Sequence, residues 1–467
     1  MSCVCIPYEL GSRATILLRA NLPRLTPVIN RVAICMIAYN GGHNPFQTLA
    51  FLSLSHPILL HSILSVATGY LHNSGRSCAN ILSVRQSRSL NSLQAALNLL
   101  LDSGQPSGEV DRARLPPQSQ HDGDWGIFST LNTREVALAT IMMQLSSTLT
   151  TGLGNAEGHL KCALHFLKDL DYIYRPPHST FARMFVHRFA LADVVLAFLR
   201  FRRTIAPPDF YMYQTGVDVG LRQPSFYELH GCPERVLCFL AEISVLGADL
   251  TEGRCPPHEV QDKAFDLEMQ MRVWSQGSHP FASDGKRDGT GNHGGAEKGH
   301  KGDSVLPDAA QPAISSQHQS QTLIEKRAQL EIVGECFFCT ARLLLMRRVF
   351  FDPTESARVQ FIRRRLFELM KRLPAGCGPD TFVTFPFYMA AREAISSEDR
   401  QWVRQHHADL AEFYRDRPRK YIMASTEKIW EQNDVMDDPA TYKAEPWNSP
   451  RERFIRELDS TSTYFMY

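Results

Sequence analysis

Cys336 and Cys339, one helical turn apart in EIVGECFFCTARLLL, have the spacing with which two thiolates open a zinc site. A tetrahedral zinc needs two further ligands, and no second pair lies near them in sequence. Their neighbours are apolar, so the pair reads as a buried helical face. Cys3 and Cys5 are tighter still and equally alone. Asp434, Asp437 and Asp438 have the spacing with which carboxylates one turn apart share a magnesium ion. They follow a helix end and run into Pro439, and no second metal motif accompanies them, so they read as a solvated acidic loop. Gly152, Gly154 and Gly158 are spaced loosely like a phosphate-binding turn, but no strand precedes them and a turn between helices accounts for them. His406 and His407 read as an exposed pair among charged residues. Three basic groups stand out: Arg347-Arg348, Arg363-Arg364-Arg365, and Arg415, Arg417, Arg419 and Lys420. Each reads as a solvated helix face, with phosphate contact or a nuclear-import signal as the other reading. Walker, His-Glu-x-x-His and Gly-x-Ser-x-Gly motifs are missing. No catalytic, cofactor-binding or metal-binding residue is therefore assigned, and the expectation is a protein that is not an enzyme.

The totals bound the remaining classes. Over 467 residues, 50 Lys and Arg against 49 Asp and Glu leave a formal charge of +1, so no overall field draws the chain to nucleic acid or to a membrane surface. The 11 cysteines are scattered, several of them (Cys78, Cys162, Cys238, Cys336) in apolar helical stretches, which is a reduced, intracellular pattern. The first 22 residues lack a basic start followed by a sustained apolar run, so no secretory signal is expected. The longest apolar run, over 58–70, is broken by His61 and serines and falls short of the roughly 20 residues a membrane span needs.

The elements that must position any site are helices. Residues 44–71 read as two helices joined at a corner: Asn44 caps the first, His56-Pro57 breaks the run, and Pro57 restarts it. Ile58, Leu59, Ile63, Leu64, Val66, Ala67, Tyr70 and Leu71 cover most of the second helix, which places it at the centre of a helical domain. Helical periods follow over 24–39, 77–101, 133–149, 157–170, 181–201, 236–246, 257–274, 323–351, 356–373, 382–395, 398–414 and 418–431. Residues 209–230 read as irregular. Between 275 and 321, glycine, serine, histidine, lysine and aspartate dominate, which predicts a disordered insertion. The fold class is all-α, one large helical domain in two parts, 24–274 and 322–434. It is flanked by an unstructured segment 1–23 and a C-terminal tail 435–467.

Several weak patterns in one order carry a resemblance. Asn44-Pro45-Phe46 with Pro57, Leu60, Ile63 and Leu64 comes first, then Glu157-Gly158-His159-Leu160 with Ala163 and Leu167, then Gly231-Cys232-Pro233 with Leu237 and Ile243. Phe385-Pro386, Glu393-Ala394, Asp399-Arg400, Arg404, Trp430 and Asp434 close the series. In this order the sequence resembles the fungal-specific transcription factor regulatory domain that commonly follows a six-cysteine binuclear zinc cluster. Ala391 and Arg392 stand where that pattern has glycine and cysteine. The resemblance implies a fungal transcription regulator of the zinc-cluster type, located in the nucleus, in a family that commonly controls metabolic pathways. DNA would be a partner only indirectly or through a zinc cluster upstream of Met1, since six clustered cysteines are missing here. Zinc would be a cofactor only in that case. Protein partners are expected and no membrane. Two alternatives stay open: an all-α metal-dependent enzyme acting on prenyl diphosphates through Asp434, Asp437 and Asp438, and a helical scaffold.

Overall fold

The computed structural model describes residues 36, 38, 44–73, 75, 79–102, 132–152, 154–177, 179–213, 225–277, 313–414, 417–435 and 449–461. Every regular element among them is helical. In chain order these are α1 (Pro45–Leu52), α2 (Pro57–Asn73), α3 (Ala79–Asp102), α4 (Thr133–Thr151), α5 (Ala156–Asp169), α6 (Thr180–Leu199), α7 (Pro208–Tyr213) and α8 (Phe226–His230). There follow α9 (Glu234–Thr251), α10 (Pro257–Gln276), α11 (Ala313–Arg348), α12 (Ala357–Met370), α13 (Thr384–Ala391), α14 (Ser397–Tyr414), α15 (Arg417–Val435) and α16 (Pro450–Thr461).

Local chemistry sets the starts. Asn132 and Glu135 close a capping box on α4, and Ser225 and Glu228 close another on α8. Asn155, Ser179 and Ser356 cap α5, α6 and α12, while the Asn44 side chain accepts from the Phe46 amide at 3.0 Å. Each such cap satisfies amides that have no partner inside the helix, worth about 1 kcal/mol apiece.

The element at the centre is α6, not α2. Every residue from Phe181 to Leu199 is buried, and α2, α4, α5 and α9 enclose it directly or through one intervening helix. In α2 the residues that read as polar relief, Ser62 and Ser65, are buried, whereas Ile58, Ile63 and Tyr70 are only half-buried. The cause is a polar seam: Ser62 bonds Ser89 at 2.8 Å, Ser65 bonds Ser147 at 3.0 Å, and Gln144 donates to Ser62 at 3.2 Å. A helix satisfied in this way by α3 and α4 sits at the side of the assembly, so counting apolar positions around its circumference overstated its depth. The apolar side chains of α6, with Phe185 and Phe189 unexposed, hold the centre, although Arg183, His187, Arg188 and Asp193 are buried among them; burying each phenylalanine ring contributes about 2–3 kcal/mol.

One continuous apolar cluster runs from Met36 to Ile455 and joins helices on both sides of the expected insertion. That insertion, 275–321, falls mostly on 278–312, outside the described residues. At its edges α10 continues to Gln276 and α11 begins at Ala313, so the unstructured reading was too long on the C-terminal side. With 36 residues α11 is about 54 Å long, and it packs against α9, α10, α12 and α13. Residues 209–230 hold two short helices, α7 and α8, rather than irregular chain alone; 214–224 lie outside the described residues. The tail reading from 435 onward also needs correction. After 436–448, which lie outside the described residues, α16 docks with Ile455 buried and Phe454 and Leu458 packed on the core. Residues 1–35 lie outside the described residues.

Candidate functional site

The last turn of α11 ends in Arg347-Arg348, which α16 covers. Neither arginine is solvated. Together with Arg392 and Arg451 they meet Glu393, Glu452 and Asp459 in one buried cluster. Glu393, 2% exposed in its side chain, lies 3.3 Å from Arg347, 3.1 Å from Arg451 and 3.8 Å from Arg392, and accepts from Thr354 at 2.7 Å. Glu452 is 2.7 Å from Arg347 and 3.1 Å from Arg451. Asp459 lies 3.4 Å from Arg392 and accepts from the Tyr388 hydroxyl at 2.9 Å.

Taking seven charges out of water is costly, and only mutual attraction and hydrogen bonding compensate. The balance differs among the carboxylates. Burial opposes ionisation of Glu393, but Arg347, Arg451 and Arg392 outweigh it and hold the carboxyl far below its ordinary range. Glu452 is lowered in the same way by Arg347, Arg451 and Arg348. For Asp459 burial wins and its pKa rises, although Arg392 and Arg348 oppose it. Four arginines against three carboxylates leave one positive charge uncompensated. It falls on Arg348, whose nearest carboxylate, Glu452, is 3.9 Å away and closer to two other arginines. Burial, reinforced by Arg392, pushes the Arg348 guanidinium down to about 9.

Beside this cluster a cleft opens between α6, α9, α11 and α16, with about 420 Å³ of empty space including its mouth. Its walls are largely apolar, with Phe198, Phe201, Ile243 and Phe351, and Arg202, Arg348 and Arg456 are its cationic groups. Two of the three non-glycine residues with left-handed backbone among the described residues line it: Phe201 at φ 50° and Phe351 at φ 55°. Both follow helix ends, where that conformation is ordinarily glycine's. After α6 the Arg202 amide reaches back to the Ala197 carbonyl at 3.0 Å, and after α11 the Asp352 amide reaches Met346 at 2.9 Å. A phenylalanine held in the left-handed region is a strain that a binding site can use.

The loop after α6 is fixed by Asp193. Its carboxylate, wholly buried, accepts from the amides of Ile205 and Ala206, both at 2.9 Å, and from the Tyr211 hydroxyl at 2.8 Å. Arg203 adds a paired contact to Asp249 on α9 at 2.8 and 2.7 Å.

The residues singled out in the sequence fare differently. Cys336 and Cys339 are buried, and burial raises both thiols, Cys339 to about 12 and Cys336 well above the ordinary value. Among the described residues no group of three or more His, Cys, Asp and Glu is placed to hold a metal. Gly152 is the left-handed end of α4, at φ 70°, its amide bonded to Thr148. His406 is not an exposed histidine: its ring stacks on Trp402 at 4.9 Å and 12°, and burial pushes it down to about 4. Arg363 and Arg419 are buried rather than solvated, the first 2.7 Å from Asp399 and the second over the Tyr414 ring at 4.7 Å. Asp434 is bound by Arg400 through two bonds of 2.7 and 2.8 Å, an arrangement that occupies the oxygens a magnesium ion would need. Cys3, Cys5, Asp437, Asp438 and Arg415 lie outside the described residues. Sequence reading missed Arg392, Glu452 and Asp459. Ser449-Pro450 followed by Phe454, Ile455 and Leu458 was the available signal for α16.

Residues far apart in sequence converge on Trp430. Its indole donates to the Ala391 carbonyl at 3.0 Å, and the guanidinium groups of Arg400 and Arg404 lie 5.3 and 5.1 Å from its rings. Compared with known protein families, residues 29–450 match the fungal specific transcription factor domain. The chain belongs to that family. Comparison with curated proteins and with solved structures gives no match. In this fungal transcription factor domain the final block of the sequence pattern is thus a physical unit: Asp399 holds Arg363, Arg400 holds Asp434, and Glu393 enters the buried cluster. No helix among the described residues is long and apolar enough to cross a membrane.

Proposed function

We propose that this chain is the regulatory part of a fungal transcription regulator of the zinc-cluster type, acting in the nucleus on a metabolic pathway and not as an enzyme. The family match across 29–450 carries the reading. The helical shell supports it: the carboxylates of its buried cluster are engaged with arginines, and its open cleft is walled by side chains suited to binding rather than to proton or group transfer. DNA reaches the protein through a zinc cluster outside this chain or through a partner that carries a DNA reader. Residues 24–274 and 322–434 act as one regulatory unit.

The test is a reporter gene with the chain tethered to a heterologous DNA-binding domain. The expected result is a change in transcription, in either direction, relative to the DNA-binding domain alone. A silent tether, with the fusion present at normal abundance in the nucleus, would leave a helical scaffold as the better description.

A further inference from the structure

We infer that the cleft between α6, α9, α11 and α16 binds a small monocarboxylic acid with an apolar body, its carboxylate taken by Arg348. As a binding site this stands on the geometry alone; as an effector site it rests on the function proposed above.

Three observations lead there. Arg348 is 8% exposed, and its Nη2 is buried without a hydrogen-bond partner. Such a group is costly to leave unsatisfied. Its guanidinium lies over the Phe201 ring at 3.4 Å, and both residues line the cleft, so the uncompensated cation sits in the cleft wall with its Nη2 packed behind that wall. A guanidinium stacked on a ring keeps its edge free to donate to a planar carboxylate.

The neighbouring charges favour one anion and no more. Glu452, the acid in the lining, is already shared among Arg347, Arg451 and Arg348. Arg202 has its Nη1 on Asp193 at 3.5 Å and on the Arg203 carbonyl at 2.6 Å, while its Nε and Nη2 are buried without partners. The buried cluster carries one surplus positive charge and Arg456 adds another cation to the lining, so the cleft favours an anion, and a monoanion brings a smaller desolvation cost into its apolar walls than a dianion does.

The walls select the body. Ala197, Phe198, Ile243, Ala248 and Phe351 offer carbon surface. The enclosed part of the space is small, which suits a short acid rather than a long lipid chain.

The test uses the purified full chain, with hexanoate and its neutral counterpart hexanamide as probes, read by calorimetric titration. Hexanoate is expected to bind saturably, and hexanamide at least roughly tenfold more weakly, because only the acid forms charge-assisted bonds. Arg348→Gln should bring hexanoate down to the hexanamide level. Thr251→Leu, on the half-exposed rim of the cleft, should weaken both probes without touching the arginine. Equal binding of the two probes overturns the proposal, as does hexanoate binding unchanged in Thr251→Leu. Inorganic phosphate binding as tightly as hexanoate also overturns it, since the walls would then contribute nothing. If Arg348→Gln fails to fold, the probe pair and Thr251→Leu decide. A silent reporter tether with hexanoate binding intact would remove the regulator and keep the site; an active tether without binding would do the reverse.

Discussion

Replacing Glu393 by glutamine removes one negative charge and keeps the size of the side chain. The cluster then holds four arginines and two carboxylates, and Arg347 and Arg451 each lose a partner at 3.3 and 3.1 Å. Removing one partner of a buried pair costs about 3–5 kcal/mol, mostly through the charge left behind. That is a large part of the roughly 5–15 kcal/mol by which domains are stable. Arg347→Met should cost a similar amount, because Glu393 and Glu452 each lose one of their two close cations and keep only Arg451 at 3.1 Å. The double variant Arg347→Met with Glu393→Gln removes opposite charges together, and its loss should fall short of the sum of the two by about 1–3 kcal/mol. Urea titrations at pH 7.5, followed by tryptophan fluorescence, read all three through the midpoint at constant slope. A loss under about 1 kcal/mol in Glu393→Gln, or two losses that add to within about 0.5 kcal/mol, would refute the assignment of this cluster as a mutually dependent unit.

Three other outcomes follow from the same structure. His187 and His230 are buried, with no hydrogen-bond partner on either ring nitrogen. Burial lowers both, His187 to about 3 and His230 well below the ordinary value. The unfolded chain therefore binds protons that the folded one does not, so stability should fall as pH drops below about 6.5, by roughly 1 kcal/mol per histidine between pH 7 and 5.5; melting curves of His187→Phe should show a shallower slope. Asp434→Ala should cost less than about 1 kcal/mol, because the pair with Arg400 lies at the surface on the aspartate side; a loss of several kcal/mol in a thermal melt would contradict this. The Cys336 and Cys339 thiols should resist an aromatic disulfide reagent in the native protein and react in urea, and rapid native labelling of either, located by mass spectrometry, would contradict their burial.

Helices were legible because their signals are local. The Asn44 cap and the Pro57 restart act within a turn, and their consequences appear at the residues that carry them, whereas the capping box of Ser225 with Glu228 was passed over in a stretch that read as irregular. Depth was harder to read, because it is set by what faces a helix. Ser62 and Ser65 look like a solvent stripe until Ser89, Gln144 and Ser147 are seen to meet them. The arginine groups misled for the same reason. Arg347-Arg348 and Arg363 carry no sequence mark of whether their partners are waters or Glu452, Glu393 and Asp399, which lie 36 residues or more away. The cleft was invisible in sequence, since Phe201 and Phe351 reveal their conformation only as backbone angles.

Because Glu452 and Asp459 come from α16, the charges at the end of α11 and after α13 have no complete set of counter-ions until that helix has left the ribosome. A chain released early by a premature stop would carry Arg347, Arg348 and Arg392 in its interior without them. The cell's quality-control proteases would meet such a product as a destabilised protein. The electrostatics of the core thus couple the fold of α11 and α13 to the presence of α16.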